Sequence, residues 1–128
     1  MANLFGAFAI HNPESCPMNN AEAKKVFLEI KDKLEKNKSD YGVKKIEAFY
    51  MSVLEHEWMI IFEAENAHDI ESLCIEAGLG TFNTVKIVGL KRYDDVHSKI
   101  GKWRNEYIII VNYMYIENQQ FLERHFPI

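Results

Sequence analysis

Residues 56–64 read HEWMIIFEA, and this stretch decides the fold prediction. It is rich in β-branched, aromatic and large apolar residues, which favour an extended chain, so we predict a strand over His56–Ala64. The segment VKKIEAFYM at Val43–Met51 has the same character, with Ile46, Ala48 and Tyr50 on one face of the predicted strand. Only Ser52–Glu55 separates the two segments. The region therefore predicts two antiparallel strands joined by a short turn.

A helical segment lies on each side of this strand pair. The first starts after Asn19 or Asn20, ends near Asn37–Ser39, and has apolar residues at helical spacing. Asn66 can cap the second, and Gly78 can end it. The predicted buried positions are Ala23, Val26, Phe27, Ile30 and Leu34 on the first helix, and Ile70, Leu73, Cys74 and Ala77 on the second.

Two further apolar segments complete the pattern, LFGAFAI at Leu4–Ile10 and a strand within Thr81–Leu90. The element order is then βαββαβ, which is typical of the ferredoxin-like fold. We therefore predict an α+β domain with an antiparallel sheet of strand order 4-1-3-2 and both helices on one face.

The other face of such a sheet has no helix to cover it. Alternation along the third strand turns either Trp58, Ile60 and Phe62 or Met59 and Ile61 toward that face, and both sets are apolar. An exposed apolar surface of this size usually marks an interface. We therefore predict a homodimer or higher oligomer formed through the sheet.

The remaining sequence predicts a domain over residues 1–92 and a C-terminal extension over 93–128 that packs on the domain or on a partner subunit. The extension has a predicted short helix, Tyr93–Ile100, that Gly101 ends. A strand-like segment, YIIIVNYMYI, follows at Tyr107–Ile116, and Glu117–Phe126 is predicted to be a short helical end.

Composition excludes several classes of protein. A chain of 128 residues with 48% hydrophobic and 27% charged residues can bury a core without disulfides. Its two cysteines form no framework, and Met1–Ile10 has no basic region or cleavage site typical of a secretory signal, so we expect a cytoplasmic location. We expect no membrane partner, because no run approaches the ~20 apolar residues of a spanning helix.

Charge and glycine placement exclude nucleic-acid and nucleotide sites. The net charge is −4, with a pI near 5.7, and the lysines are interspersed with glutamates. Nucleic-acid binding usually requires a basic patch, so no nucleic-acid partner is expected. Gly78-Leu79-Gly80 follows a helix, whereas a phosphate-binding loop precedes one, so no nucleotide cofactor is expected.

Three chemically active side chains are predicted to meet at one end of the sheet. His11 ends the first strand and His56 begins the third. These strands are antiparallel neighbours in the predicted order, and neighbouring strands lie ~4.8 Å apart. Cys16 follows in the segment HNPESCP, where Pro13 and Pro17 predict a fixed loop that can fold back over the same end.

Imidazole and thiolate groups are good ligands for Zn²⁺, copper or Fe²⁺, so the three residues predict a transition-metal site. Glu14, Glu55 or Glu57 can complete the ligand shell. Three protein ligands would leave an open coordination position, which suits metal-assisted chemistry on a small molecule. We expect a pocket between facing sheets beside this site, lined by Tyr50 and Trp58.

Two other interpretations of the same residues stay open. Cys16 lies just before a helix N-terminus, where a thiolate is stabilised, so it can be a nucleophilic or redox-sensitive thiol. Alternatively, Cys16 is a small buried apolar residue and the histidines are hydrogen-bonded loop residues. Separately, the apolar uncovered face of the sheet and the lack of a complete catalytic set allow a non-catalytic module that oligomerises and binds a small effector.

Over residues 3–92, the βαββαβ order, the HNPESCP loop and the EHEWMIIFEA run resemble the dimeric α/β-barrel superfamily. More narrowly, they are similar to small, uncharacterised prokaryotic members with a His-x-Pro-Glu-x-Cys-Pro loop. The resemblance implies a dimer whose two sheets face each other around a pocket. Members include monooxygenases, isomerases, haem-handling enzymes and effector-binding domains, so a cofactor-free monooxygenase or isomerase is also implied as an alternative.

Overall fold

A computed structural model describes residues 2–102 and residue 120 of the chain. Its strands are β1 (Asn3–Ile10), β2 (Val43–Ser52), β3 (Glu57–Ala64) and β4 (Thr84–Leu90), and its two long helices are α1 (Ala21–Asn37) and α2 (Ala67–Ala77). No helix among these residues is both long enough and apolar enough to cross a membrane.

The four strands form one antiparallel sheet in the order β2-β3-β1-β4. This is the predicted order, 4-1-3-2, counted from the opposite edge. With a helix in each β-α-β segment, the architecture is a ferredoxin-like α+β fold, which confirms the predicted fold class. The central pair, β1 and β3, is the one on which the predicted site depends.

Side-chain caps explain why both helices begin where they do. The Asn20 side chain accepts a hydrogen bond from the Ala23 backbone N–H at 3.0 Å, and Asn66 accepts one from Asp69 N–H at the same distance. Gly78 ends α2 with φ +85°, a left-handed conformation that favours glycine. The predicted caps Asn20, Asn66 and Gly78 are therefore confirmed.

The helices cover the face of the sheet that carries the even-numbered residues of β3. Trp58, Ile60, Phe62 and Ala64 are buried, whereas Met59 and Ile61 on the opposite face are only half-buried. The buried set packs with Ile30 and Leu34 of α1 and with Ile70 and Leu73 of α2. The face that α1 and α2 leave uncovered, called the open face below, is therefore the one with Met59 and Ile61. Of the two sets of residues that the sequence allowed on this face, the structure selects this one.

An irregularity in β2 changes which of its residues share a face. Its register shifts between Ile46 and Ala48, so that Ile46 pairs with Phe62 and Phe49 with Ile60 on the helix side. Tyr50 pairs with Met59 on the open side. The prediction that Ile46, Ala48 and Tyr50 share a face is wrong for Ile46, because a regular alternation cannot anticipate a bulge.

The chain divides into two compact units, of which the first ends at Leu90 and the second begins at Lys91. Helical backbone extends over residues 93–102 and includes Gly101, so the prediction that Gly101 ends this helix is wrong. A glycine within a helix costs only about 1 kcal/mol relative to alanine, which does not by itself break it. The predicted strand at 107–116 lies outside the described residues, as does the 117–126 helix apart from residue 120. How residues 93–128 pack stays a prediction.

Cys74 lies on the inner side of α2, within the core. Burial raises the pKa of its thiol from 9.0 to about 12. In the unfolded chain the thiol loses its proton near the lower value. Between these two pH values the folded state therefore binds more protons than the unfolded state, and raising the pH favours unfolding.

We predict that Cys74→Ala weakens the alkaline loss of stability. The substitution removes a buried sulfur and lowers the free energy of unfolding at neutral pH, but the variant has no thiol at this position to ionise on unfolding. From about pH 8 to about pH 10.5, the wild type should lose more unfolding free energy than the variant in urea denaturation. Parallel pH profiles for the two proteins would contradict this assignment.

Candidate metal centre

The pairing of β1 with β3 places His11 beside His56. Ile10 and Glu57 form the last residue pair of this ladder. One residue further, the His11 backbone N–H donates to the His56 carbonyl oxygen at 3.1 Å. This pairing brings the two imidazole rings together, with centroids 5.4 Å apart in an edge-to-face arrangement. Two side chains 45 positions apart in sequence are thus neighbours because of a strand register.

A compact turn returns the chain from His11 to the same place. Pro13–Ser15 form a 3₁₀ turn, after which the Cys16 N–H donates to the Pro13 carbonyl at 3.2 Å. The Cys16 carbonyl then accepts from the N–H groups of Asn19 at 2.8 Å and Asn20 at 2.9 Å. Backbone hydrogen bonds on both sides of Cys16 therefore hold this buried residue between the turn and the start of α1.

His11, Cys16 and His56 each offer one ligand atom, and these three atoms all lie within 4.8 Å of one another. Ligand atoms of a tetrahedral zinc site, at the usual metal–ligand distances, lie roughly 3.3–3.6 Å apart. Small side-chain rotations can therefore close the group around an ion. Nitrogen and sulfur donors in this number fit a transition metal.

A hydrogen bond from His11 to Asn83 determines which ring nitrogen of His11 carries the proton. The Asn83 Nδ2 donates to the Leu79 carbonyl at 3.0 Å, which turns Oδ1 toward His11 Nδ1 at 2.9 Å. Since Oδ1 only accepts, Nδ1 of His11 must be the donor, so in the neutral imidazole Nε2 has the free lone pair that a metal requires. Metal-binding histidines usually have such a partner on the second ring nitrogen.

Both histidines have a nitrogen that finds no hydrogen-bond partner among the described residues. These atoms are Nε2 of His11, a residue only 7% exposed, and Nδ1 of His56. An unsatisfied buried polar atom costs about 1–3 kcal/mol. If His11 and His56 were ordinary hydrogen-bonded loop residues, two such atoms would not lie beside a thiol. The alternative in which the histidines and Cys16 have only a structural role is therefore disfavoured.

His56 also has an unusual backbone. Its φ of +54° lies in the left-handed region, and it is the one non-glycine residue with positive φ in the described part of the chain. This conformation is uncommon for residues with a Cβ and is found at turns and functional sites. His56 is the last residue of the turn between β2 and β3, so the chain enters β3 at Glu57 with the histidine already beside His11.

A cavity of about 360 Å³ adjoins the three residues. Its walls include Phe27, Met51 and Trp58, together with the polar Lys24 and Ser52. The cavity lies on the helix-covered side of the sheet, because Trp58 packs against Phe27 of α1 with ring centroids 5.8 Å apart. The remaining lining residues are His11, Cys16, Pro17, Met18, Leu28, Val53 and His56.

Two parts of the predicted site need correction. Tyr50 is 63% exposed and faces the open side of the sheet, so it does not share a pocket of this chain with Trp58. The β2 irregularity and the face of Trp58 are the physical reasons. Among the described residues, the predicted supplementary ligands Glu14, Glu55 and Glu57 do not join the metal-ligating group.

Sequence reasoning missed Asn83 and Phe82, although a signal for them exists. Ile10 pairs with Thr84 across β1 and β4, so the residues next to this pair, His11 and Asn83, must also be neighbours. Phe82 packs edge-on against His11 with centroids 5.5 Å apart. Extending the strand register by one residue would have placed Asn83 beside the imidazole.

Comparisons with known proteins leave the function open. No family model matches the chain, and no curated protein matches it. A conserved protein of unknown function from Bacteroides thetaiotaomicron, described as a possible oxidoreductase, matches with a TM-score of 0.47 and 13% identity over 71% of this chain and 97% of the other. The uncharacterized protein TM1266 from Thermotoga maritima matches with a TM-score of 0.40 and 15% identity over 71% and 100%. Both likenesses are too weak to bear on function.

We predict that Asn83→Ala lowers metal affinity about 10–100-fold, because the His11 ring loses the partner that orients it and fixes its tautomer. Cobalt(II) titration of the purified protein measures this. Asn66→Ala is the matched control, since it removes an asparagine cap worth about 1 kcal/mol far from the site. Equal affinities for the two variants would show that Asn83 has no role in positioning His11.

Proposed function

We propose that this protein binds a transition-metal ion through His11, Cys16 and His56 and uses it to bind or activate a small molecule in the adjoining cavity. The observation that carries the proposal is a pair of buried imidazole nitrogens, grouped with a thiol, that have no hydrogen-bond partner among the described residues. A bound cation would satisfy both nitrogens and a thiolate at once, which removes the cost of leaving them buried without partners.

The donor set favours zinc, copper or iron(II) over magnesium and calcium. Two imidazoles and a thiolate are intermediate to soft ligands, whereas the harder cations prefer carboxylate and carbonyl oxygens. Within the described residues, none of the side chains that line the cavity is a carboxylate. An additional ligand would therefore come from water or from a molecule in the cavity.

Three protein ligands leave a tetrahedral ion with one open position. All three candidate ligands line the cavity, so that position would face the space where a small molecule can bind. A metal at such a position supplies Lewis-acid polarisation of a bound oxygen or a more acidic bound water. Trp58 and Phe27 contribute apolar walls that limit water at the site.

A second candidate function is an oligomerising module, and the open face of the sheet favours it. Phe8, Met59 and Ile61 lie together on that face, as the β1–β3 register requires, and none of them is fully buried. We propose that two copies associate through this face, as in the dimeric α/β-barrel superfamily that the HNPESCP loop resembles. Association and metal binding use opposite faces, so both can occur in one protein.

We predict that untagged protein carries a stoichiometric transition metal and that His11→Ala, His56→Ala and Cys16→Ala each lose it. Elemental analysis and cobalt(II) titration measure binding, and cysteine ligation adds a thiolate-to-cobalt absorption that Cys16→Ala should lack. At about 100 times its dissociation constant, the metal should raise the unfolding free energy by about 2.7 kcal/mol.

His68→Ala is the control for the metal experiment, because His68 is exposed in the first turn of α2 and away from the site. It should bind metal like the wild type. The proposal fails if the wild type takes up no metal, or if the three ligand variants retain wild-type affinity.

We predict that Ile61→Glu prevents self-association, because it would place a charge in the centre of the interface. Sedimentation equilibrium should show a dimer for the wild type and a monomer for the variant. Ile75→Glu, on an exposed position of α2, should leave the dimer intact. A wild-type protein that is monomeric at all accessible concentrations would exclude association through the sheet.

A further inference from the structure

We propose that the cavity binds a small aromatic carboxylate, with its ring between the apolar walls and its carboxylate shared by the metal and Lys24. This inference rests on the proposed metal site and names the class of molecule that the site would take. Size, wall chemistry and charge each contribute to the argument.

The size of the cavity limits the ligand to a small molecule. Its volume of about 360 Å³ is near the lower end of the ~300–1,000 Å³ range of small-molecule sites. One ring with a short acidic substituent fits a cavity of this size. A polymer or a dinucleotide would not.

The walls favour an aromatic body. Phe27 and Trp58 supply two rings, and Met51 and Met18 supply thioethers, which make favourable contacts with aromatic rings. Edge-to-face contacts with His11 at 5.8 Å and with Phe82 at 5.4 Å hold Trp58 in place. The indole, which is 3% exposed, is therefore a fixed part of the cavity wall.

Three large apolar side chains around the same cavity are left in solvent. Met18 is 78% exposed, Leu28 is 66% exposed and Val53 is 65% exposed. They come from three different segments: the loop after Cys16, helix α1 and the β2–β3 turn. An apolar ligand would cover them and gain about 25 cal/mol for each Å² of apolar surface removed from water.

The charges favour an anion. Among the described lining residues, Lys24 is the one lysine, and there is no arginine, aspartate or glutamate. Its Nζ makes no salt bridge within the described part of the chain. It lies in the first turns of α1, where the helix dipole is already positive. A bound metal would add more positive charge, and a carboxylate on the ligand can neutralise both groups through its two oxygens.

The test uses the full chain loaded with cobalt(II) and three probes: benzoate, benzyl alcohol and acetate. Benzoate should bind about tenfold or more tightly than either of the others, because only benzoate offers both a ring and a charge. Binding should also alter the cobalt absorption spectrum, which reports a new ligand on the metal.

Lys24→Met should weaken benzoate binding about tenfold and leave benzyl alcohol binding unchanged. Cobalt affinity should not fall, because the substitution removes a positive charge near the cation. Lys31→Met is the matched control, an exposed lysine of the same helix that does not line the cavity. It should behave like the wild type toward all three probes.

The outcomes separate this inference from the metal proposal. If cobalt binds with its thiolate absorption but benzoate does not bind, or binds without dependence on Lys24, the ligand class is wrong and the metal site stands. If cobalt does not bind, both proposals fail. Preferential benzoate binding that depends on Lys24 and alters the cobalt spectrum supports the assignment.

Discussion

The antiparallel pairing of β1 with β3 is the constraint on which the rest of the structure depends. It forms the centre of the sheet and sets the register that separates Trp58, Ile60 and Phe62 from Met59 and Ile61. The same ladder ends with the hydrogen bond from His11 N–H to the His56 carbonyl. A slip of one residue would send every side chain of β3 to the opposite face. Core and candidate site are therefore consequences of one register.

Several elements around that ladder hold the candidate site, and each of them fixes the position or the tautomer of one candidate ligand. The 3₁₀ turn and its backbone hydrogen bonds position Cys16, the left-handed backbone positions His56, and Asn83 sets the tautomer of His11. A site whose ligands are ordered before a cation arrives loses less conformational entropy on binding. In the part of the chain that the structure describes, this preorganisation leaves two buried imidazole nitrogens without hydrogen-bond partners, and the proposed cation would satisfy them.

The two faces of the sheet carry different residues, and the register of β2 decides which face each of its side chains joins. The shift between Ile46 and Ala48 keeps Ile46 and Phe49 in the core while it turns Tyr50 to the open side. The proposed metal site and cavity ligand then lie on the helix side, and the proposed association of copies uses the other side. A change at Met59 or Ile61 need not disturb the cavity, because neither residue lines it.

The sequence by itself determined the element order, the strand order, the helix caps and the meeting of His11, Cys16 and His56, because apolar periodicity, capping residues and antiparallel pairing are local rules with few solutions. Only the tertiary structure decided which parity of β3 is buried, where Tyr50 points, and that Asn83 and Lys24 adjoin the site. The position of a β-bulge, and which face of β3 is buried, depend on packing between segments that are distant in sequence. Short-range sequence patterns contain no information about that packing. The register of β2 shifts twice, between Val43 and Lys45 and between Ile46 and Ala48, and it pairs Tyr50 with Met59 rather than with Trp58.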